Sequence, residues 1–387
     1  GTILILIGAI HRKYLIKKLE GTKQVYQLLV VEVFIMIAAI SVGAWLSSSE
    51  PPVSENPRDV GIAEIIAGSP MLPAPNFNNV LWTYVPDAAI MGLLIFITAL
   101  YIRGVVILAK RGDKWPIGRT IAFAFAIAAT DFATSGGLGA YARFSFSYHM
   151  VSHMILGMVA PIGFVLSAPI TLALRTLPIG RTPDERGIRG ILITLLHSKY
   201  FQVISNPIVA LAIFDGSLFA LYMTPLFGDL MQSHFGHLFM SLHFLLAGTL
   251  FFHVIVGIDP SPKRVPYIVR IIILFAAMSI HAFFSIALMS TTTLLDGGYF
   301  ASLDRPWSTD LLADQKAGGA VGWAMGEIPI LIALVATFIQ WTRDDKKETR
   351  RIDRAEDRAA AMGEDDELAK YNKYLAELRR LDETKES

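Results

Sequence analysis

The chain has 387 residues, 53% of them hydrophobic and only 17% charged, with a formal net charge of +1. Soluble domains carry about a quarter charged residues, so this composition excludes an ordinary soluble fold, and the near-zero charge points away from nucleic acid as a partner. There are no cysteines, which removes disulfides, thiolate redox chemistry and cysteine metal sites and leaves any metal to His, Met, Asp or Glu.

The first ten residues, Gly1 to Ile10, are apolar but too few to span a bilayer, which takes about 20 residues. They read as the tail of a helix that starts upstream, because no initiator Met or signal-peptide pattern precedes them. Eight apolar runs of spanning length follow: Tyr26–Leu46, Asp87–Ala109, Ile117–Phe132, Tyr148–Leu166, Phe201–Tyr222, Gly236–Ile258, Tyr267–Ser290 and Val321–Trp341. The loops between them alternate in charge. Arg12, Lys13, Lys17, Lys18 and Lys23 precede the first run, whereas 47–86 has only Arg58. Lys110, Arg111, Lys114 and Arg119 fill one loop and Arg143 is alone in the next; 171–199 is basic and 223–235 has no Lys or Arg. By the positive-inside rule the basic loops, including the turn at Lys263, Arg264 and Arg270, and the tail after Trp341 face the cytoplasm. The fold class expected is all-α: a polytopic transmembrane bundle of about eight spans plus the stub, ending in a charged cytoplasmic helix. In that tail, opposite charges four apart support a solvated helix; docking to a partner or to anionic lipid is the alternative.

Ionisable residues in hydrocarbon cost roughly 2.5–3.5 kcal/mol at a helix centre, so each marks a candidate site. They are Asp131, His149, His153, Asp215, His237, His243, His253, His281 and Glu327, with His234 just outside. At 1.5 Å per residue, the expected topology places His149, His153, His237 and His243 towards the outer leaflet, His281 about 20 Å up its helix in the same half, and His253 near the inner end. His149 and His153 are four apart and share a helix face. Imidazole suits Cu, Zn, Fe and Ni, and thioether favours Cu(I). Met154 and the neighbouring Met residues are ligand candidates, with flexible packing as the alternative. Asp131, Glu327 or Asp314 are candidate acceptors for the second imidazole nitrogen. Asp215-Gly216 in mid-span reads as a polar hinge or as a proton or metal site. The glycine-rich segment Ala313–Trp323 is expected to be a loop that caps the outer pocket.

The segment Phe146-Ser-Tyr-His-Met-Val-Ser-His153, running through Ala160-Pro161 to Ser167-Ala-Pro-Ile-Thr and Pro178, resembles the CtaG family of cytochrome c oxidase assembly factors. So do Asn206-Pro207, His237 to Gly248, Asp259-Pro260, and Asp314-Gln315 with Gly318-Gly319 and Trp323. Leu28 to Pro52 resembles the end of a CopD-type copper-resistance domain. The division implied is 1–52 CopD-like, 53–79 an extracytoplasmic linker, 80–343 CtaG-like and 344–387 the tail. The resemblance implies a non-enzymatic factor of the bacterial cell membrane that supplies copper to the CuB centre of an aa3/caa3-type oxidase. Its partner would be subunit I or an assembly intermediate, with membrane lipid around it. The family's histidines map onto His149, His153 and His243, and more loosely onto His237 and His281. A b-type haem electron-transfer protein and a copper transporter are the competing readings.

Overall fold

The structure, a computed structural model, describes residues 61–180, 187–261, 265–362 and 367–386. The stub, the expected span at 26–46, the CopD-like stretch 1–52, and Lys263 and Arg264 lie outside the described residues. Among the described residues the regular structure is entirely helical, and six helices are long and apolar enough to cross a membrane.

Helix α1 is Ala88–Lys110 and α2 is Ile117–Thr134. Asp87 starts α1 by accepting from the backbone N–H groups of Ala89 and Ile90. The third spanning run, Phe146–Thr176, has three parts: α3 (Phe146–Met154), α4 (Ala160–Leu166) and α5 (Pro169–Thr176). A π-helical turn, Ile155–Val159, joins α3 to α4. Pro161 supplies no N–H and its ring would crowd the preceding turn of an α-helix, and the wider turn accommodates it. The chain bends again at Ala168, a non-glycine residue in the left-handed region at φ 50°. The Asp259 carboxylate then caps α5 through the N–H groups of Ile170 and Thr171 and the Thr171 hydroxyl. The Ser167-Ala-Pro and Asp259-Pro motifs are thus one structural joint.

The expected span Phe201–Tyr222 is not a single helix. It consists of Lys199–Ile204, then α6 (Pro207–Phe214) and α7 (Gly216–Tyr222). Pro207 cannot continue the first piece, and Asn206 accepts from the Ile208 N–H to start the next. The apolar part, Pro207–Tyr222, rises only about 24 Å at 1.5 Å per residue. Helices α8 (His234–Val256) and α9 (Tyr267–Ser290) lie where the pattern put them. Helix α10 runs from Leu311 to Met362, so the glycine-rich segment 313–323 is helix rather than loop. Its glycines still serve close approach: a Cβ at Gly318 would run into Phe146, and one at Gly319 into Met289.

The broadest interfaces are α9 with α10 and α10 with α3; α4 packs on α2 and α8. Gly248 lets α8 touch the π turn, because a Cβ there would collide with the Gly157 carbonyl. The core is aromatic and Met-rich, with Phe144, Phe146, Met150, Tyr222, Phe227, Phe251 and Phe284 fully enclosed. The outside is apolar as well: Phe96, Phe125, Leu246, Phe283 and Ile332 are exposed. That surface suits hydrocarbon, and only helices satisfy their own backbone there.

Candidate functional site

Two elements bring histidines together. Helix α3 presents His149 and His153, which are 1% and 2% exposed, with ring centroids 4.0 Å apart. Helix α8 adds His237, whose ring lies 5.8 Å from that of His149. They line a cavity of about 30 Å³ together with Arg143, Asp87, Ser152 and Ser241.

The surroundings fix each ring. His149 is hydrogen-bonded to the backbone of Ala142, and its Nε2 has no partner. His153 Nδ1 lies 2.8 Å from the Tyr222 hydroxyl at the end of α7. With Nδ1–H donating to that oxygen, the Nε2 lone pair of His153 is the donor left over. Nε2 of His237 is also buried without a partner. The three imidazoles stand round one cavity whose wall also carries Arg143 and the Asp87 carboxylate, and imidazole nitrogen is a donor suited to borderline cations. At about 30 Å³ the cavity is far smaller than the small-molecule pockets that start at about 300 Å³. Among the described residues, no three His, Asp or Glu side chains are already gathered as a ligand set.

The α3 start is held by Asp314 of α10. Its carboxylate accepts from the Phe146 and Ser147 N–H groups and from the Ser145 and Ser147 hydroxyls. It also pairs with the buried Arg305 at 3.0 Å, and Arg305 donates to the Phe144 carbonyl. At the mouth, Tyr299 donates to the Arg143 carbonyl. Burial pushes the Tyr299 phenol up to about 12, against the opposing pull of Arg143.

Other expected members stand elsewhere. His243 turns its ring against Phe239 and Phe244 and lines a separate apolar groove of about 660 Å³ with His253. His281 is not in the cluster; its Nδ1 meets Asp215 at 3.4 Å and its Nε2 the Gly322 carbonyl at 3.2 Å. Asp131 accepts from the Tyr84 hydroxyl, Glu327 neighbours Asp215, and Met154 packs in the core. None of the three carboxylates receives a cluster imidazole; Tyr222 and the Ala142 backbone do that instead. Tyr222 was hidden in an apolar run, whereas Arg143, a lone cation beside the histidine segment, was a visible signal.

These features define a class: a multi-pass helical membrane protein with a small histidine-lined cavity in its bundle. The chain belongs to the cytochrome c oxidase caa3 assembly factor family (Caa3_CtaG), whose model matches residues 99–344. Uncharacterized proteins of Mycobacterium bovis and Mycobacterium tuberculosis are each 40% identical over 318 residues, covering 82% of this chain and 48% of theirs. One from Mycobacterium leprae is 39% identical over the same length, with the same coverage. The chain therefore spans about half the length of the curated relatives it matches. No solved structure matches it.

Proposed function

We propose that this protein takes up copper as cargo from the extracytoplasmic side at His149, His153 and His237. It passes the ion laterally to the CuB centre of an aa3/caa3-type oxidase, on subunit I or an assembly intermediate of it, in the bacterial cell membrane. The role is non-catalytic. Membership of the assembly-factor family supports the oxidase partner. The observation that carries the copper reading is the three buried histidines round one small cavity, with the Nε2 atoms of His149 and His237 unpartnered. Tyr222 and the Ala142 backbone hold the rings in the tautomer a ligand needs. His243, beyond the cavity and at the lipid-facing groove, is the next imidazole on a lateral exit.

The b-type haem reading needs two histidines across a porphyrin-sized slot, and the rings of His149 and His153, 4.0 Å apart, leave none between them. A transporter needs polar groups leading to the far face, where His253 stands in an apolar groove.

Metal analysis of the purified full chain, wild type beside His149→Ala/His153→Ala, tests the proposal. Copper near one per chain that is lost in the double variant is expected. Copper content unchanged by the double substitution removes the site.

A further inference from the structure

A second fully enclosed polar pair lies outside the histidine cavity. Asp215, where α6 meets α7, is 1% exposed, and His281, on α9, is fully buried. They approach to 3.4 Å through Oδ1 and Nδ1, while His281 Nε2 reaches the Gly322 carbonyl of α10 at 3.2 Å. Three separate elements therefore meet at one imidazole. The fit is tight, because a Cβ at Gly326 would collide with the His281 ring. Asp215 Oδ2 and, near Gly322, the Ser285 hydroxyl are buried without hydrogen-bond partners.

Proton counting decides the state of this pair. A carbonyl only accepts, so Nε2 must carry a hydrogen to bond Gly322. A neutral imidazole has no second N–H, and its bare Nδ1 would then face an ionised carboxylate, lone pair against lone pair. One further proton resolves the clash. It rests on Nδ1 as an imidazolium–carboxylate pair, or on Oδ1 as a carboxylic acid donating to neutral imidazole. Both forms have the same composition and no net charge, as an apolar interior demands. Without that proton the site holds a net negative charge. The other titratable group facing it is Glu327 on α10. Among the described residues, no Lys or Arg pairs with Asp215.

We propose that Asp215 and His281 form a proton-binding site inside the bundle, which ties α6–α7, α9 and α10 together while its proton is bound. This site does not depend on the copper reading, and its ligand is the proton itself.

The test uses the full chain in detergent with chelator and no added metal, at about pH 8, above the ordinary ranges of imidazole (~6.5) and carboxylate (~3.9). Nitrogen-15 resonance of labelled histidine reports an imidazolium. Infrared absorption of carbon-13-labelled aspartate reports a carboxylic acid. One of the two signatures is expected in the wild type and is lost in Asp215→Asn, whose amide N–H replaces the proton. A neutral His281 with an ionised Asp215 in the wild type overturns the proposal. If Asp215→Asn does not fold, comparison of the wild type with His281→Gln decides by the same two spectra.

Discussion

At the scale of single residues, function depends on small polar groups set in an apolar core. The Tyr222 hydroxyl is the clearest case. Tyr222→Phe keeps the ring that packs on Phe227 and Phe284 and deletes only the partner of His153 Nδ1. Losing such an outer partner typically costs about 10–100-fold in metal affinity. Competition with a chromophoric copper chelator should show that loss at unchanged thermal stability; unaltered affinity would mean that Tyr222 does not orient the ligand. Asp314 sits beside Arg305, whose side chain is 2% exposed. Asp314→Ala leaves that guanidinium buried and unpaired, a defect worth about 3–5 kcal/mol. It also uncaps the helix bearing His149 and His153. A large fall in unfolding midpoint with loss of copper is expected, and a shift below about 1 kcal/mol would contradict the clamp.

At the scale of elements, hydropathy located α1, α2, α8 and α9 to within a few residues, because each is one uninterrupted apolar helix. It misread Phe201–Tyr222, since average hydropathy does not register that Pro207 and the polar Asp215 divide the run. It also read 313–323 as a loop. The glycines there are helical, placed so that α10 can approach α3 and α9. Such contacts join residues from about 30 positions apart (Gly319 and Met289) to more than 150 (Gly318 and Phe146), and no local pattern encodes them. The close approaches are testable by adding one methyl group. Gly248→Ala meets the Gly157 carbonyl and Gly326→Ala meets His281, and overpacking of this kind costs about 1–3 kcal/mol. Unfolding midpoints in detergent should fall for both, whereas Gly92→Ala, with open space around it, should leave the midpoint unchanged or higher.

At the scale of the whole molecule, the orientation expected from loop charge is open to direct test. The chain has no cysteine, so single cysteines report cleanly. Lys316 and Arg354 are exposed on α10 and about 57 Å apart at 1.5 Å per residue, well beyond the ~30 Å hydrocarbon layer. Lys316→Cys should react with an impermeant maleimide applied outside the cell and Arg354→Cys only once the inner face is opened; labelling of both from one side would refute the topology. Copper loading should also weaken as pH falls, because protons compete for the same Nε2 lone pairs; loading indifferent to acid would point to other ligands. Helix class, the positions of most spans and the pairing of His149 with His153 were legible from the residues, because hydrophobic run length and four-residue spacing are local properties. Which histidines share a cavity was not. His237 joins the pair while His243, six residues on, faces the groove, and His281 turns to Asp215. Helix rotation and interhelical packing make those choices, and they depend on the small residues and caps of partner helices distant in the chain.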